Sequence, residues 1–234
     1  LLSFAAVLSL LAAASCSQPE YKLTANFGEN AQDGNVVYLI DYDKGDTIDS
    51  AVITNKQAVF AGTVEKAFVA RILAEQSRSN LIIEAGELTL NWEDRKVEGG
   101  ALNDSIAVLN EETKQLNEEA AKLQQTAKAE KWTEEKFVEE YGKIIDGYNA
   151  NFLKHYEANK DNAFGWMSFY NYLNNMGFGL ADLKAILAEA PAEYSQSVRI
   201  ERLVKGAETL DRTKEGEKMV DFAVKTEEGG EVKL

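Results

Sequence analysis

The side chains that most often carry out catalysis are few in this sequence and stand far apart along it. His155 is the only histidine and Cys16 the only cysteine, so no second imidazole or thiol is present to complete a zinc site. Ser50 follows Asp49, but the sequence has no Gly-x-Ser-x-Gly elbow that would activate a serine nucleophile. We therefore expect a structural or surface role for His155, and we predict no catalytic residue, no metal and no cofactor.

Three aspartates, Asp41, Asp43 and Asp46, lie in the sequence DYDKGD, where their spacing weakly resembles a calcium-binding loop. Gly45 stands at the third ligand position, and Val52 stands where such a loop has its bidentate glutamate. Clusters of Asp and Gly are also typical of simple turns. We predict a turn here and no metal site.

An apolar, uncharged run opens the sequence. Residues 1–15, LLSFAAVLSLLAAAS, have the composition of the apolar region of a secretory signal peptide. A membrane-spanning helix needs about 20 apolar residues, so this run is too short for one. No methionine or basic segment precedes it, and we expect the natural start to lie a few residues upstream. We interpret residues 1–15 as a signal peptide.

The residues around Cys16 resemble the lipobox of bacterial lipoproteins. In Ala13-Ala14-Ser15-Cys16 the small residues match, although lipoboxes prefer leucine where Ala13 stands. The resemblance implies cleavage before Cys16, lipidation of its sulfur and a lipidated linker over residues 16–20. It also implies that the protein is anchored in the envelope of a Gram-negative bacterium, facing the periplasm or at the outer membrane. An ordinary signal peptide cleaved nearby is the alternative.

Lipidation of Cys16 would have two physical consequences. Several acyl chains on one residue anchor a protein stably, since each buried methylene adds about 0.8 kcal/mol and one chain alone is marginal. No free thiol would remain, so neither a disulfide nor a dithiol site could form within the chain.

The charge balance bears on the partners of the protein. The chain has 39 acidic and 25 basic residues, a formal net charge of −14. Phosphate binding needs clustered positive charge, so we exclude nucleic acid as a partner. A soluble, self-repelling surface is the simplest interpretation, and binding of basic partners or cations is the alternative.

Short strands separated by turns are predicted from Glu20 to about Glu98. Apolar and polar residues alternate along YKLTANF, and the turn sequences GENAQDGN and DKGD flank VVYLIDY. The segments TIDSAVI, AVFAGTV, FVARILA and LIIEAGELTLNWE follow, separated by TNKQ, EKA and SRSN. About eight strands at this spacing are typical of an antiparallel sandwich or barrel, which we assign to residues 21–100.

The pattern changes to a helical one at residues 101–212. Asn103 or Asp104 can cap a first helix, which carries a heptad stripe and therefore needs a partner. The stripe consists of Ile106, Leu109, Thr113, Leu116, Ala120, Leu123 and Ala127. A second helix is predicted from Thr133 to about Asn159, and its aromatic stripe favours an antiparallel pair with the first. The class is thus α+β, a β-sandwich followed by helices.

Further helices are predicted at residues 162–176, 180–190 and 193–210, with Pro191 as a breaker. The segment FGWMSFYNYL holds the densest group of aromatic residues, including Phe164, Trp166, Phe169 and Tyr170. Packing between helices is the favoured interpretation of this aromatic cluster. A surface that binds a ligand or a partner is the alternative.

The last segment, residues 213–234, returns to strand chemistry. Met219, Phe222 and Val224 lead into EEGG, which is typical of a hairpin turn, and EVKL starts the returning strand. Two short strands are marginally stable alone, so we expect this hairpin to open a further domain.

Several of these pieces together resemble a known arrangement. IDSAVITNKQAVFAG, LIIEAGELTL with its E-x-G motif, and VEGGALND resemble parts of a domain of unknown function. That domain precedes thioredoxin-like domains in envelope lipoproteins of the TlpA/ResA-like thiol:disulfide oxidoreductase and AhpC/TSA group. GEKMVDFAVKTEEGGEVKL is similar to the strands that lead into the thioredoxin fold of those proteins.

The resemblance implies a non-catalytic amino-terminal region that positions or regulates a downstream thioredoxin-like domain. The implied partners are the membrane, through the lipid anchor, and that domain in cis, whose own substrates would be protein thiols and disulfides. The Cys-x-x-Cys pair of the family has no counterpart in this sequence, so no catalytic residue is carried over. The alternative is a stand-alone lipoprotein that binds a small hydrophobic or peptide ligand.

Overall fold

The computed structural model describes residues 19–29, 31–214, 223–225 and 231–233. Its amino-terminal part has the eight strands β1 (Glu20–Asn26), β2 (Val36–Asp41), β3 (Thr47–Val52), β4 (Gln57–Thr63), β5 (Phe68–Ala74), β6 (Ser77–Ile83), β7 (Gly86–Asn91) and β8 (Val97–Glu98). They form two four-stranded sheets, in the orders β4-β1-β7-β8 and β3-β2-β5-β6.

The two sheets share one apolar core, to which alternate residues of each strand contribute. Leu23, Phe60 and Leu88 come from the first sheet, and Leu39 and Ile72 come from the second. The predicted α+β class is confirmed. Strands β1 to β8 form a sandwich of two open sheets and no closed barrel.

One strand pair departs from the predicted antiparallel pattern. β1 pairs antiparallel with β4, Leu23 facing Phe60, but it pairs parallel with β7, Leu23 facing Leu88. Side chains alternate between the faces of a strand whichever way its neighbour runs. The sequence pattern could therefore predict the strands but not this parallel pair.

The second sheet is buried on both faces at one end. Leu81 and Ile83 point into the sandwich core, while Ile82 between them is also fully buried and packs with Phe164 of the helical region. Burial on both faces explains why three consecutive apolar residues occur in β6. The outer face of this sheet is thus the surface on which the helices lie.

Two turns are explained only by the structure. The segment SRSN, which we predicted to separate strands, belongs to β6, and the chain turns earlier, with Glu75 at φ 53°.

Asn55 and Lys56 have φ of 50° and 64°, as required in a two-residue hairpin of the primed type. Asp33 accepts hydrogen bonds from both of their backbone N–H groups, each at 3.0 Å. A carboxylate from another loop thus supports a turn that lacks glycine.

The helical region consists of α1 (Ala101–Glu130), α2 (Glu134–Ala158), α3 (Ala163–Met176), α4 (Leu180–Glu189), a 3-10 helix (Tyr194–Gln196) and α5 (Val198–Arg212). The predicted cap at Thr133 is confirmed, since its side chain accepts a hydrogen bond from Lys136 N. The predicted helix at 193–210 is divided at Ser197, which caps α5 by accepting a hydrogen bond from Ile200 N.

The predicted cap of α1 was wrong. The helix begins earlier, after Gly100 at φ 88°, and its first amides are capped from outside. Glu84 Oε1 accepts hydrogen bonds from Leu102 N at 3.0 Å and Asn103 N at 3.3 Å. Asn103 instead binds the edge strand β6, accepting from Ile82 N at 2.9 Å and donating to Ile82 O at 2.7 Å.

The predicted antiparallel pairing of α1 and α2 is confirmed. Asn117 accepts a hydrogen bond from Tyr148 at 2.6 Å, and Glu112 forms an ion pair with Lys154 at 2.5 Å. Of the heptad stripe of α1 only Leu109 is buried. The described residues between 110 and 151 belong to none of the three apolar cores. A stripe that meets a single partner helix stays half exposed, which explains this pattern.

The carboxy-terminal segment contains a short hairpin. β9 (Ala223–Lys225) pairs antiparallel with β10 (Glu231–Lys233), Val224 facing Val232, as the sequence predicted. Met219, Phe222 and the EEGG turn lie outside the described residues. Among the helices that the structure describes, none is long and apolar enough to span a membrane.

Candidate functional site

The strongest candidate site lies where the outer face of the second sheet meets the helices. A small apolar core at this junction joins sheet residues to residues of α1 and α3. Its buried members are Tyr42, Val69, Ile82, Leu109, Ala163, Phe164 and Met167. Helical side chains thus cover a sheet face that would otherwise expose apolar surface, and burial of that surface holds the two parts together.

The junction includes the predicted aromatic cluster, but its four members differ in exposure. Phe164 and Phe169 are 0% and 1% exposed, so both are core residues and neither contributes to an open surface. Trp166 and Tyr170 are half-buried and stack on each other with ring centroids 5.8 Å apart. Both rings meet Tyr42 of the sheet domain edge-on, at 6.1 and 6.2 Å.

Arginines from both parts of the chain surround Tyr42. The guanidinium of Arg199 lies 3.7 Å and that of Arg71 lies 4.7 Å from the centroid of the Tyr42 ring. Arg199 also donates a hydrogen bond from Nε to the carbonyl oxygen of Tyr42. Burial lowers the pKa of Arg71, and the nearby charge of Arg199 acts in the same direction. Tyr42 therefore offers its π-face to two cations, one from the sheet and one from α5.

Asp43 makes the clearest polar link between sheet and helices. Its carboxylate accepts hydrogen bonds from Ser197 Oγ at 2.6 Å, Arg199 N at 2.9 Å and Val198 N at 3.2 Å. These donors belong to the first turn of α5, where a carboxylate satisfies free amides and favours the helix dipole. We call the contacts of Asp43 and Arg199 across the junction the α5 clamp.

The turn that carries Asp43 was predicted as a plain turn, and Asp41 does organise it by accepting hydrogen bonds from Asp43 N and Lys44 N. The role of Asp43 in the α5 clamp was missed. Its partners lie more than 150 residues further along the chain, and no local pattern signals such a contact.

A cleft of about 410 Å³ opens beside the α5 clamp. We call it the junction cleft. Its apolar wall includes Phe68, Ala163 and Trp166, and Asp43 and Ser197 lie at its polar side. Lys66 and Glu193, both on the cleft, form an ion pair at 2.6 Å. The volume suits a small ligand with an apolar body.

The remaining predicted residues do not meet at this site. His155 Nε2 lies 2.7 Å from Glu112 Oε2, and hydrogen bonds from Lys154 and His155 lower the pKa of Glu112. Ser50 is exposed on β3. Within the described ranges, no three His, Cys, Asp or Glu side chains are grouped so that they could hold a metal ion. Cys16 and the predicted signal peptide at residues 1–15 lie outside the described residues.

Comparison with known families assigns the amino-terminal part of the chain. Residues 21–106 match the family model of a domain of unknown function, DUF4369. Neither the curated proteins nor the solved structures yielded a match. The matched residues run from β1 into α1 and include Glu84 and Asn103, the two residues that attach this helix to the sandwich. The chain thus contains a DUF4369 domain at residues 21–106.

Proposed function

We propose that this chain is the non-catalytic amino-terminal region of a membrane-anchored envelope lipoprotein. In this proposal Cys16 carries the lipid, and the sandwich and helices position or regulate a thioredoxin-like thiol:disulfide oxidoreductase domain that follows them. The downstream domain would exchange disulfides with protein thiols through its own cysteines.

The α5 clamp is the observation that carries the proposal. α5 is the last described helix before the carboxy-terminal hairpin, and its first turn is bound to the DUF4369 domain by Asp43 and Arg199. The junction core adds apolar contacts beside it. A spacer that orients a following domain must resist bending between its two parts, and a shared core with charge-assisted hydrogen bonds supplies that resistance.

The first experiment tests the anchor and the downstream domain. The native lipoprotein is isolated from its membrane, and its intact mass is measured together with a peptide map. We expect a diacylglyceryl modification on Cys16 and about 100 to 150 further residues with a Cys-x-x-Cys peptide. A native carboxy terminus at Leu234 contradicts the proposed downstream domain. An unmodified Cys16 contradicts the proposed lipid anchor.

A second experiment tests positioning. In the native, membrane-bound protein, Asp43→Ala is compared with Asp46→Ala, which changes the same turn without touching α5. We expect Asp43→Ala, but not Asp46→Ala, to slow disulfide exchange with a protein substrate. Neither variant should change the reduction potential of the Cys-x-x-Cys pair in the downstream domain. Equal rates for the two variants argue against a positioning role.

The junction cleft favours a second candidate function, the binding of a small hydrophobic ligand by a stand-alone lipoprotein. Trp166 and Phe68 offer apolar surface beside polar groups that could orient such a ligand. Lauric acid and indole serve as probes, and binding by the folded chain raises the melting temperature with the logarithm of the free ligand concentration once that concentration exceeds Kd. No shift with either probe, at concentrations up to their solubility, counts against this candidate.

A further inference from the structure

A second and larger groove lies on another side of the molecule, between the sandwich and helices α1 to α3. Its volume is about 800 Å³, and it shares no lining residue with the junction cleft. Arg78 and Arg95 come from the sandwich side, and Asn110, Tyr148 and Asn171 come from the helices. We call it the arginine groove. It does not enter the proposed function above.

Both arginines of this groove lack a carboxylate partner. Neither Arg78 nor Arg95 takes part in any ion pair that the structure describes, and the pairs that it does describe use lysine or histidine. The chain has 39 acidic residues, so the absence of a partner is not due to a shortage of carboxylates. Two unpaired guanidinium groups in one groove make it a place for an external anion.

Arg95 shows the strongest signs of a site prepared for a ligand. Its Nη1 atom is buried and has no hydrogen-bond acceptor within the described chain. The guanidinium carbon lies 3.7 Å from the centroid of the Trp92 ring, in a cation–π contact. The residue has φ 62°, a left-handed backbone conformation usually taken by glycine or asparagine. A buried donor without an acceptor is costly, and a bound oxyanion would satisfy it.

The rest of the lining argues for a peptide as the ligand. The side-chain amides of Asn110 and Asn171 have no hydrogen-bond partner among the described residues, and amides match the N–H and C=O groups of an extended peptide. Ile106, Phe152 and Met167 give the groove an apolar floor. Asp94, Glu111, Lys96 and Lys114 also line it, so with the two arginines the groove has an excess of only two positive charges, which suits a ligand with one carboxylate.

We propose that the arginine groove binds a short extended peptide segment that carries an isolated carboxylate. The carboxylate pairs with Arg95 and Arg78, the asparagine amides hold the peptide backbone, and an apolar side chain of the peptide occupies the floor. The bound segment therefore combines one acidic residue with apolar neighbours, in the manner of other peptide-binding grooves.

A random heptapeptide library, displayed on phage and selected on the full chain, is the probe. Counter-selection on an Arg78→Gln, Arg95→Gln double variant removes peptides that bind elsewhere. We expect the remaining peptides to be enriched in Asp or Glu next to apolar residues. The best peptide is then synthesised with a fluorescent label, together with its Gln or Asn counterpart, and both are measured by fluorescence anisotropy.

We expect the neutral counterpart to bind the wild-type chain with a Kd at least about tenfold larger than that of the acidic peptide. The acidic peptide should bind each single variant, Arg78→Gln and Arg95→Gln, with a Kd larger by a similar factor. Each change removes a charge-assisted hydrogen bond. Arg202→Gln on exposed α5 is the charge-matched control and leaves the Kd unchanged. Arg78 is exposed, so Arg78→Gln should leave the fold intact. It therefore tests the proposal even if Arg95→Gln disrupts the turn between β7 and β8.

Three results overturn the proposal. The first is a selection without enrichment of acidic residues. The second is equal binding by the double variant and the wild type. The third is displacement of the peptide by a sulfated oligosaccharide that binds more tightly than any selected peptide, which would assign the groove to a polyanion.

Discussion

At the scale of single residues, two aspartates show how carboxylates in this protein act on backbone amides far along the chain. Asp33 binds the turn at Asn55 and Lys56, and Asp43 binds the first turn of α5. Neither carboxylate forms an ion pair within the described chain in these contacts. Hydrogen bonds from several N–H groups to one carboxylate are stronger than neutral ones, so each aspartate stabilises the segment that it binds.

Asp43→Ala tests the α5 clamp. The substitution leaves Ser197 Oγ and the amides of Val198 and Arg199 without their acceptor, and we expect the free energy of unfolding to fall by about 1 to 2 kcal/mol. Urea unfolding at neutral pH measures the change. Asp46→Ala is the matched control from the same turn. A loss of equal size in both variants shows that the turn, and not the clamp, is responsible.

Asp33 predicts a dependence of stability on pH. The hydrogen bonds from Lys56 N and Asn55 N lower the pKa of Asp33 below its ordinary value. The ionised carboxylate therefore adds stability above the unfolded-state pKa, and this contribution is lost as the pH falls through the folded-state pKa.

We expect Asp33→Asn to reduce the free energy of unfolding at neutral pH, and we expect the difference from the wild type to shrink as the pH is lowered toward the folded-state pKa. Urea titrations at a series of pH values give this difference directly. A difference that stays constant down to the acid transition contradicts the assigned role of the carboxylate.

At the scale of elements, α1 is attached to the sandwich at its first turn by two residues. Glu84 caps the helix and Asn103 binds the free edge of β6 through both of its amide atoms. Asn103 is 2% exposed, so its hydrogen bonds to Ile82 are shielded from water. The E-x-G motif of the strand thus has a physical role, because its glutamate starts the helix that follows the sandwich.

Asn103→Leu tests this attachment. It leaves the N–H and C=O groups of Ile82 buried without partners, and we expect a loss of roughly 2 to 3 kcal/mol in the free energy of unfolding. Asn110→Leu, two turns further along α1, removes an amide that has no partner in the described chain and should change stability by less than about 0.5 kcal/mol. Equal effects of the two substitutions contradict the prediction.

Two helical glycines predict opposite effects of added methyl groups. A Cβ at Gly165 in α3 would lie 1.8 Å from the backbone oxygen of Asn159, whereas a Cβ at Gly142 in α2 would meet nothing within 4 Å. We expect Gly165→Ala to destabilise the protein by about 3 kcal/mol or more, because backbone atoms must move. Gly142→Ala should stabilise it by about 0.5 to 1 kcal/mol. Thermal and urea unfolding check both signs.

At the scale of the whole molecule, the junction core and the α5 clamp join the sandwich to the helices. We therefore expect the two parts to unfold together. A variant that keeps only Trp92 reports on the sandwich, and one that keeps only Trp166 reports on the junction. In each variant the urea midpoint from tryptophan fluorescence should coincide with the midpoint from far-ultraviolet circular dichroism. Two separate midpoints within one variant show that the parts unfold independently.

The sequence by itself determined most of the elements. Alternating residues predicted the strands, and stripes of apolar residues predicted α1 and α2. The predicted cap at Thr133 begins α2, and helices were expected where α3 and α4 lie. These features depend on neighbours a few residues away, and short-range hydrogen bonding and side-chain periodicity act at that distance. The lipidation of Cys16 and the downstream thioredoxin-like domain stay predictions.

Only the tertiary structure decided how distant residues meet. The parallel pairing of β1 with β7, the cap of α1 by Glu84 and the contact of Asp43 with α5 all join segments that are far apart in the chain. The same structure divided the aromatic cluster, burying Phe164 and leaving Trp166 beside a cleft. Such contacts depend on which faces of the sheets and helices pack together, and the pattern of neighbouring residues does not predict that packing.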